Sequence, residues 1–265
     1  MIRPQERRLK WQGCFNIRDL GGIVTADGQH RTRWGAVVRG DSPIGFELAS
    51  GAPHHGLTEG GWRSLKDHGI RTIISLREVG EEYPEALSNG ISIVHCPLDN
   101  AADTTFWAKC CADGVDVPPL YFPRFLEEKL DRCASALMAV ADAPPGGVFV
   151  HCRYGRDRTG FIAMLLLALA GVSTEEIAED YVYSNRLLPR MYESLRLPDD
   201  RKALRRRLRR RSISLRSVLR ETMEKFAQVR DQLSGAGLPA ECVQKLMCRL
   251  VESPATHSSA GQESE

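Results

Sequence analysis

Along the chain, short apolar runs alternate with longer stretches whose apolar residues recur at helical spacing. Residues 36–39, 72–76, 91–95 and 148–150 are brief, rich in Val and Ile, and flanked by turn-forming or polar residues, which predicts buried strands. Thr58 is placed to cap a short helix that carries Glu59 in its first turn and ends near Gly69. Phe125, Leu126, Leu130, Cys133, Leu137 and Val140 form one stripe and predict a helix over 120–141, stopped by Pro144-Pro145-Gly146-Gly147. The apolar run 161–170 predicts a buried helix that begins at about Thr159. Ser173-Thr174-Glu175-Glu176 contains a capping box and opens a helix to about Leu188. Beyond Pro198 the chain reads as helical and highly charged, and a last helix is expected over roughly 239–251.

The segments between are polar or rich in turn formers. Residues 1–12 are expected to be an exposed arm, 41–56 a loop, 100–119 irregular and 252–265 a disordered tail. Asp27-Gly28 signals a hairpin-like turn. Strands alternating with helices predict an α/β domain over 13–251, with a central, mainly parallel sheet of about four to five strands covered on both faces. No internal repeat is evident.

Composition narrows the class. The 265 residues are 42% hydrophobic and 26% charged, with a net charge of +2. That fits one large domain and gives no global field for nucleic acid. The eight cysteines include no CxxC pair and no Cys/His ligand spacing, so no metal or cofactor is expected. The first residues are polar and basic and the longest apolar run is too short to span a bilayer. A cytoplasmic protein with reduced thiols is expected, with export without a cleaved signal as the alternative.

The chemistry is concentrated in His151-Cys152-Arg153-Tyr154-Gly155-Arg156-Asp157-Arg158-Thr159-Gly160. A strand delivers Cys152 to a tight loop that feeds a helix N-terminus. Backbone amides of residues 153–158 can curl around one anion, and the helix dipole favours negative charge there. A cysteine in such a cradle is a candidate nucleophile, and Arg158 can grip phosphoryl oxygens bidentately. Cys152 attack on phosphorus would split hydrolysis into two displacements. Thr159 is read either as a hydroxyl donor to the sulfur or as a plain helix cap. His151 is expected to orient the loop by hydrogen bonding. Asp99 follows a strand and is one candidate for the acid that protonates the leaving oxygen. Cys96 reads as a buried thiol, with pairing to Cys152 under oxidation as the alternative.

Residues 201–211 hold eight Lys or Arg: Arg201, Lys202, Arg205, Arg206, Arg207, Arg209, Arg210 and Arg211. Leu204, Leu208 and Leu215 give this helix a narrow buried edge. Its charged face is either merely solvated or attracts an anionic phospholipid surface or phosphoproteins. Nucleic acid is not expected, because no aromatic residues are interleaved.

The signature loop, together with Asn16-Ile-Arg-Asp-Leu-Gly-Gly22, resembles the bacterial tyrosine-phosphatase-like family of cysteine-dependent phosphatases, whose members include secreted mycobacterial and Listeria phosphatases. Leu57-Thr58-Glu59-Gly60-Gly61, Gly69-Ile-Arg-Thr-Ile-Ile-Ser-Leu-Arg77, Tyr181-Val-Tyr-Ser-Asn185 and Gly237-Leu-Pro-Ala-Glu241 resemble it too, in family order. The resemblance implies a phosphatase fold with a helical lid over 190–215, and hydrolysis of phosphomonoesters: phosphotyrosine, phosphoserine or phosphothreonine, and phosphoinositides. It also implies that Asp157 is the acid, against Asp99. Arg156 departs from the family, which carries Lys there. Arg18 and Asp19 are expected to brace the site from beneath, with a substrate contact by Asn16 or Arg18 as the alternative. Arg77 and Glu78 read as a surface ion pair.

Overall fold

The computed structural model describes residues 2–47, 53–78 and 90–252. Its central strand is β7, Gly147–His151, buried along its whole length. β2 (Val37–Gly40) pairs with it in parallel on one side and β5 (Ile70–Ser75) on the other. β6 (Ser92–His95) adds in parallel to β5, and the short β1 (Arg18–Asp19) closes the β2 edge antiparallel. The expected α/β sheet is therefore present, with five strands of which four are parallel.

Strand geometry sends alternate side chains to opposite faces. Val38, Ile73 and Phe149 point into a smaller core with Trp11, Ile17, Leu57 and Leu65, the last from α1 (Glu59–Asp67). Val37, Ile74, Val148 and Val150 face the larger core. That core is built by α4 (Leu130–Ala141), α5 (Asp157–Leu169), α8 (Leu215–Val229) and α9 (Ala240–Leu250), through Leu137, Phe161, Leu165, Leu219 and Leu246. Burial on both faces explains why these strands read as continuous apolar runs.

Several boundaries differ from the sequence reading, each for a local reason. Residues 2–12 are not an exposed arm: Arg7 and Trp11 are buried, and Trp11 meets Phe149 edge-on at 5.6 Å. The 41–56 segment contains a two-stranded antiparallel ribbon, β3 (Ile44–Glu47) and β4 (Pro53–Gly56). Within 100–119 lies α2, Thr104–Ala112, capped by Asp103, which accepts from the Phe106 amide; only Phe106 and Cys110 of this helix are buried, too few to mark a stripe. The helix expected over 120–141 is two, α3 (Phe122–Glu128) and α4, broken where Lys129 leaves the helical region at φ −137°, ψ 33°. α6 (Thr174–Ser194), capped by Ser173, continues past Leu188 through Pro189, because Leu188, Met191 and Tyr192 form a buried cluster with Phe15 and Tyr154 around them. The charged region is α7, Arg201–Arg210, and Leu215 belongs to the next helix, where Ser214 and Ser217 form a capping box. The expected tail beyond residue 252 lies outside the described residues.

Four parallel strands end at one edge, with Gly40, His151, Ser75 and His95 in a row. Residues that follow them must gather outside that edge, where ligand sites of parallel sheets form. Cys152, Arg77 and Asp99 are such residues.

Candidate active site

The loop after β7 is shaped from its outside. The Ser42 amide donates to the Arg153 carbonyl at 3.2 Å, and the Asn16 side-chain amide to the Tyr154 carbonyl at 3.0 Å. Arg39 Nη2 donates to the carbonyls of Gly155 at 2.7 Å and Arg156 at 3.3 Å. In a planar peptide the C=O and the next N–H point in opposite directions. Four outward-held carbonyls therefore turn the amides of residues 154–157 toward the loop centre, next to the α5 N-terminus. Gly155 makes the turn at φ +67°, and a Cβ there would lie 2.3 Å from the Gly40 carbonyl carbon.

Beneath the loop is a fully buried charge cluster. Asp180 of α6 takes Arg18 Nε at 2.9 Å, Arg7 Nη2 at 2.8 Å and Arg39 Nη1 at 2.7 Å, and all four side chains are at most 2% exposed. Arg18 Nη1 also donates to the Asn16 side-chain oxygen Oδ1 at 2.8 Å, so Asp180 reaches the loop along two routes, through Arg39 and through Arg18–Asn16. Burial alone would raise the Asp180 carboxyl; the three guanidinium groups outweigh it and hold it far below the usual carboxylate range. Burial, with Arg18 alongside, lowers Arg39 to about 10. Three buried cations on one anion leave net positive charge directly under the loop.

The expected catalytic residues converge. Cys152 is 3% exposed at the floor of the loop. The His151 ring stacks on Phe149, and its Nδ1 lies 3.0 Å from the Cys152 carbonyl, which can only accept, so Nδ1 carries the proton. Burial, reinforced by Arg77 and Arg158, lowers His151 to about 3; the ring is neutral. Thr159 is not the helix cap, since α5 starts at Asp157 with Arg156 at the cap position; its buried hydroxyl has no hydrogen-bond partner among the described residues. Arg158 donates to the Leu76 carbonyl at 3.1 Å and pairs through Nε with Asp99 at 3.3 Å.

The two candidate acids have different surroundings. Asp99 accepts from the Tyr121 hydroxyl at 3.3 Å, and burial raises its carboxyl to about 6 against the pull of Arg158. Glu78 carries the Asp99 loop by accepting from the amides of Asp99 and Ala101. Asp157 is gripped by Arg156 through Nε at 2.8 Å and Nη2 at 3.0 Å, and accepts from the Tyr181 hydroxyl at 3.0 Å. Both of its oxygens are acceptors in a fixed frame. Arg156 continues outward to Asp200, the residue before α7, with both nitrogen–oxygen distances at 2.9 Å, and Tyr192 donates to the same carboxylate.

Two expectations change and two alternatives fall away. The Asp19 carboxylate does not brace the site: it accepts from the Gly21 and Gly35 amides and from His68. Asn16 and Arg18 are fully buried and cannot touch substrate. Arg77 is buried, with Nη1 3.4 Å from the Ser42 hydroxyl, rather than a surface residue. Cys96 lies two strands from Cys152, with β5 between; neighbouring strands are about 4.8 Å apart, so their separation of roughly 10 Å exceeds the ~7 Å limit for a disulfide. The sequence reading missed Arg39, Asp180 and Arg7. Two signals were available: a lone arginine inside the apolar strand Val37-Val38-Arg39-Gly40, and an aspartate on the buried stripe Ile177, Tyr181, Ser184, Leu188.

Among the described residues no group of three His, Cys, Asp or Glu side chains is placed to hold a metal ion, and no helix is long and apolar enough to cross a membrane.

A mainly parallel sheet with an amide-lined loop at its carboxyl edge defines an α/β protein with a candidate anion-binding loop. The sequence profile described as the tyrosine phosphatase family matches residues 9–252, and the chain belongs to that family. A Cupriavidus necator protein bearing the name tyrosine-protein phosphatase is 30% identical over 184 residues, 67% of this chain and 63% of its own length. The triple specificity protein phosphatase PtpB of Mycobacterium tuberculosis is 26% identical over 208 residues, 68% of this chain and 70% of its own. A tyrosine-protein phosphatase of Nostoc commune is 49% identical over 49 residues, 18% of this chain and 17% of its own. The chain thus spans less than two thirds of the Cupriavidus protein.

Proposed function

We propose that this protein hydrolyses phosphomonoesters, with phosphotyrosine in proteins as its main substrate and phosphoserine and phosphothreonine as further ones. The observation that carries this reading is the loop around Cys152: outward-held carbonyls, inward amides, and Arg158 at its rim beside a carboxyl raised to about 6. The Cys152 sulfur attacks phosphorus, and the ester oxygen leaves with the proton of Asp99. Water then attacks the cysteinyl-phosphate, Asp99 takes its proton, and the sulfur departs with a hydrogen bond from Thr159. Amides of residues 153–158 and the Arg158 guanidinium stabilise the equatorial oxygens as charge spreads. His151 fixes the loop as a neutral ring.

Each carboxylate is held by one arginine and one tyrosine, and Asp99 is favoured over Asp157 as the acid because burial raises it to about 6 and its arginine is Arg158, at the rim of the loop. The name of the Mycobacterium relative supports breadth beyond phosphotyrosine. A phosphoinositide substrate is a second reading, favoured by the exposed cations of α7. Arg156 lends it no support, since Asp157 and Asp200 occupy its guanidinium.

The test is hydrolysis of an aryl phosphate without added metal. The wild type is expected to turn over and Cys152→Ser to be inactive. Asp99→Asn should lower kcat by about 10²–10³ and lose the basic limb near pH 6. Asp157→Asn should retain that limb. A folded, reduced wild type without activity would leave only a phosphate-binding module.

A further inference from the structure

We propose that the outward face of α7 is a docking surface for anionic phospholipid bilayers. The helix has two unlike arcs. Leu204 and Leu208 pack with Leu120 and Val218, Arg207 pairs with Asp116 at 2.8 Å, Arg201 with Asp199 at 2.6 Å, and Arg211 donates to the Asp113 carbonyl. These residues fix one arc to the protein. Lys202, Arg205, Arg206, Arg209 and Arg210 occupy the other, about 140° wide at 3.6 residues per turn, and all five are exposed. None of them has an ion-pair partner among the described residues. No acidic residue occurs between 201 and 213.

Position and shape narrow the partner. α7 starts just after Asp200, which pairs with Arg156 of the loop, and ends over the turn that follows α2. A flat anionic surface laid on this arc therefore borders the loop. Five exposed cations spread along one arc, with no acidic residue among them, suit a layer of anionic lipid headgroups. No aromatic residue lies on the arc to stack on nucleic-acid bases. The buried edge of α7 is already engaged, so docking is at headgroup depth, without insertion of the helix.

The experiment is sedimentation with phosphatidylcholine vesicles, with and without about a quarter phosphatidylserine, at ionic strength near 0.15 M. Wild type should bind the anionic vesicles only, and more weakly in higher salt. Replacing Arg205, Arg206, Arg209 and Arg210 together by Gln should lower the partition about a thousandfold while leaving kcat on a small aryl phosphate unchanged. The milder pair Arg206→Gln with Arg210→Gln should lower it about thirtyfold, and keeps the test open if the fourfold variant does not fold. Cys152→Ser should bind like wild type, so failure of docking and failure of catalysis are read separately. No binding by wild type, undiminished binding by the folded variants, or displacement from vesicles by equimolar duplex DNA would each overturn the proposal.

Discussion

Arg39 connects the buried charge cluster to the loop by its geometry as much as by its charge. One guanidinium serves Asp180 with Nη1 and two loop carbonyls with Nη2. An ammonium is a point charge and cannot fork in this way. Arg39→Lys is therefore expected to keep most of the stability of the fold yet lose about tenfold or more in kcat, with KM for an aryl phosphate little changed. Equal activity of Lys and Arg at this position would show that charge alone suffices. Gly160 permits the same contact: a Cβ there would sit 2.7 Å from the Tyr181 ring and 3.0 Å from Arg39 Nη2. Gly160→Ala should destabilise the protein by about 1–3 kcal/mol, read as a lowered Tm. The loop itself was legible because its residues are contiguous and each has a distinct chemical task. The cluster was not, because Arg39 and Asp180 lie 141 positions apart and a single charged residue in a strand names no partner.

At the scale of elements, the strands and most helices were read from periodicity, and the misses follow from the forces that periodicity does not report. α2 buries too narrow a face, and α6 passes through Pro189 because tertiary packing on both sides outweighs the missing hydrogen bond. α3 and α4 share one apolar stripe across a backbone break, so the pattern saw one helix. α7 is tied to the loop at one end by Asp200, whose carboxylate bridges Arg156 and Tyr192. Asp200→Ala should speed amide hydrogen exchange in the first turn of α7 by about tenfold or more, with exchange in α5 unchanged. Unchanged exchange in α7 would mean that Leu204 and Leu208 hold the helix by themselves.

For the whole molecule, Asp180 sets how acid is tolerated. Its folded carboxyl is depressed, so its contribution is complete above the unfolded value of about 3.9 and is lost as pH falls below it. Asp41 and Asp99, both raised to about 6 by burial, act with the opposite sign: their contribution is complete near pH 4 and is lost as pH rises through 6. Thermal melts are thus expected to fall steeply below pH 4. Asp180→Asn should cost about 3–5 kcal/mol at pH 7, because it leaves three buried cations without an anion. An unchanged melt would remove Asp180 from the account of stability. Fold class was evident early because burial on both faces writes itself into the central strands β2 and β7 and most of β5, whereas the tie between Arg7 and Asp180 spans 173 positions and names no partner locally. That span also sets an order of events at the ribosome. Cys152 leaves the ribosome before the aspartate that holds its loop in shape, and the arginines that emerged first wait for the same residue. Unfinished chains that end before α6 should therefore carry the whole signature motif in an unshaped loop, and α8 and α9, which complete the same core, must follow before the site is set.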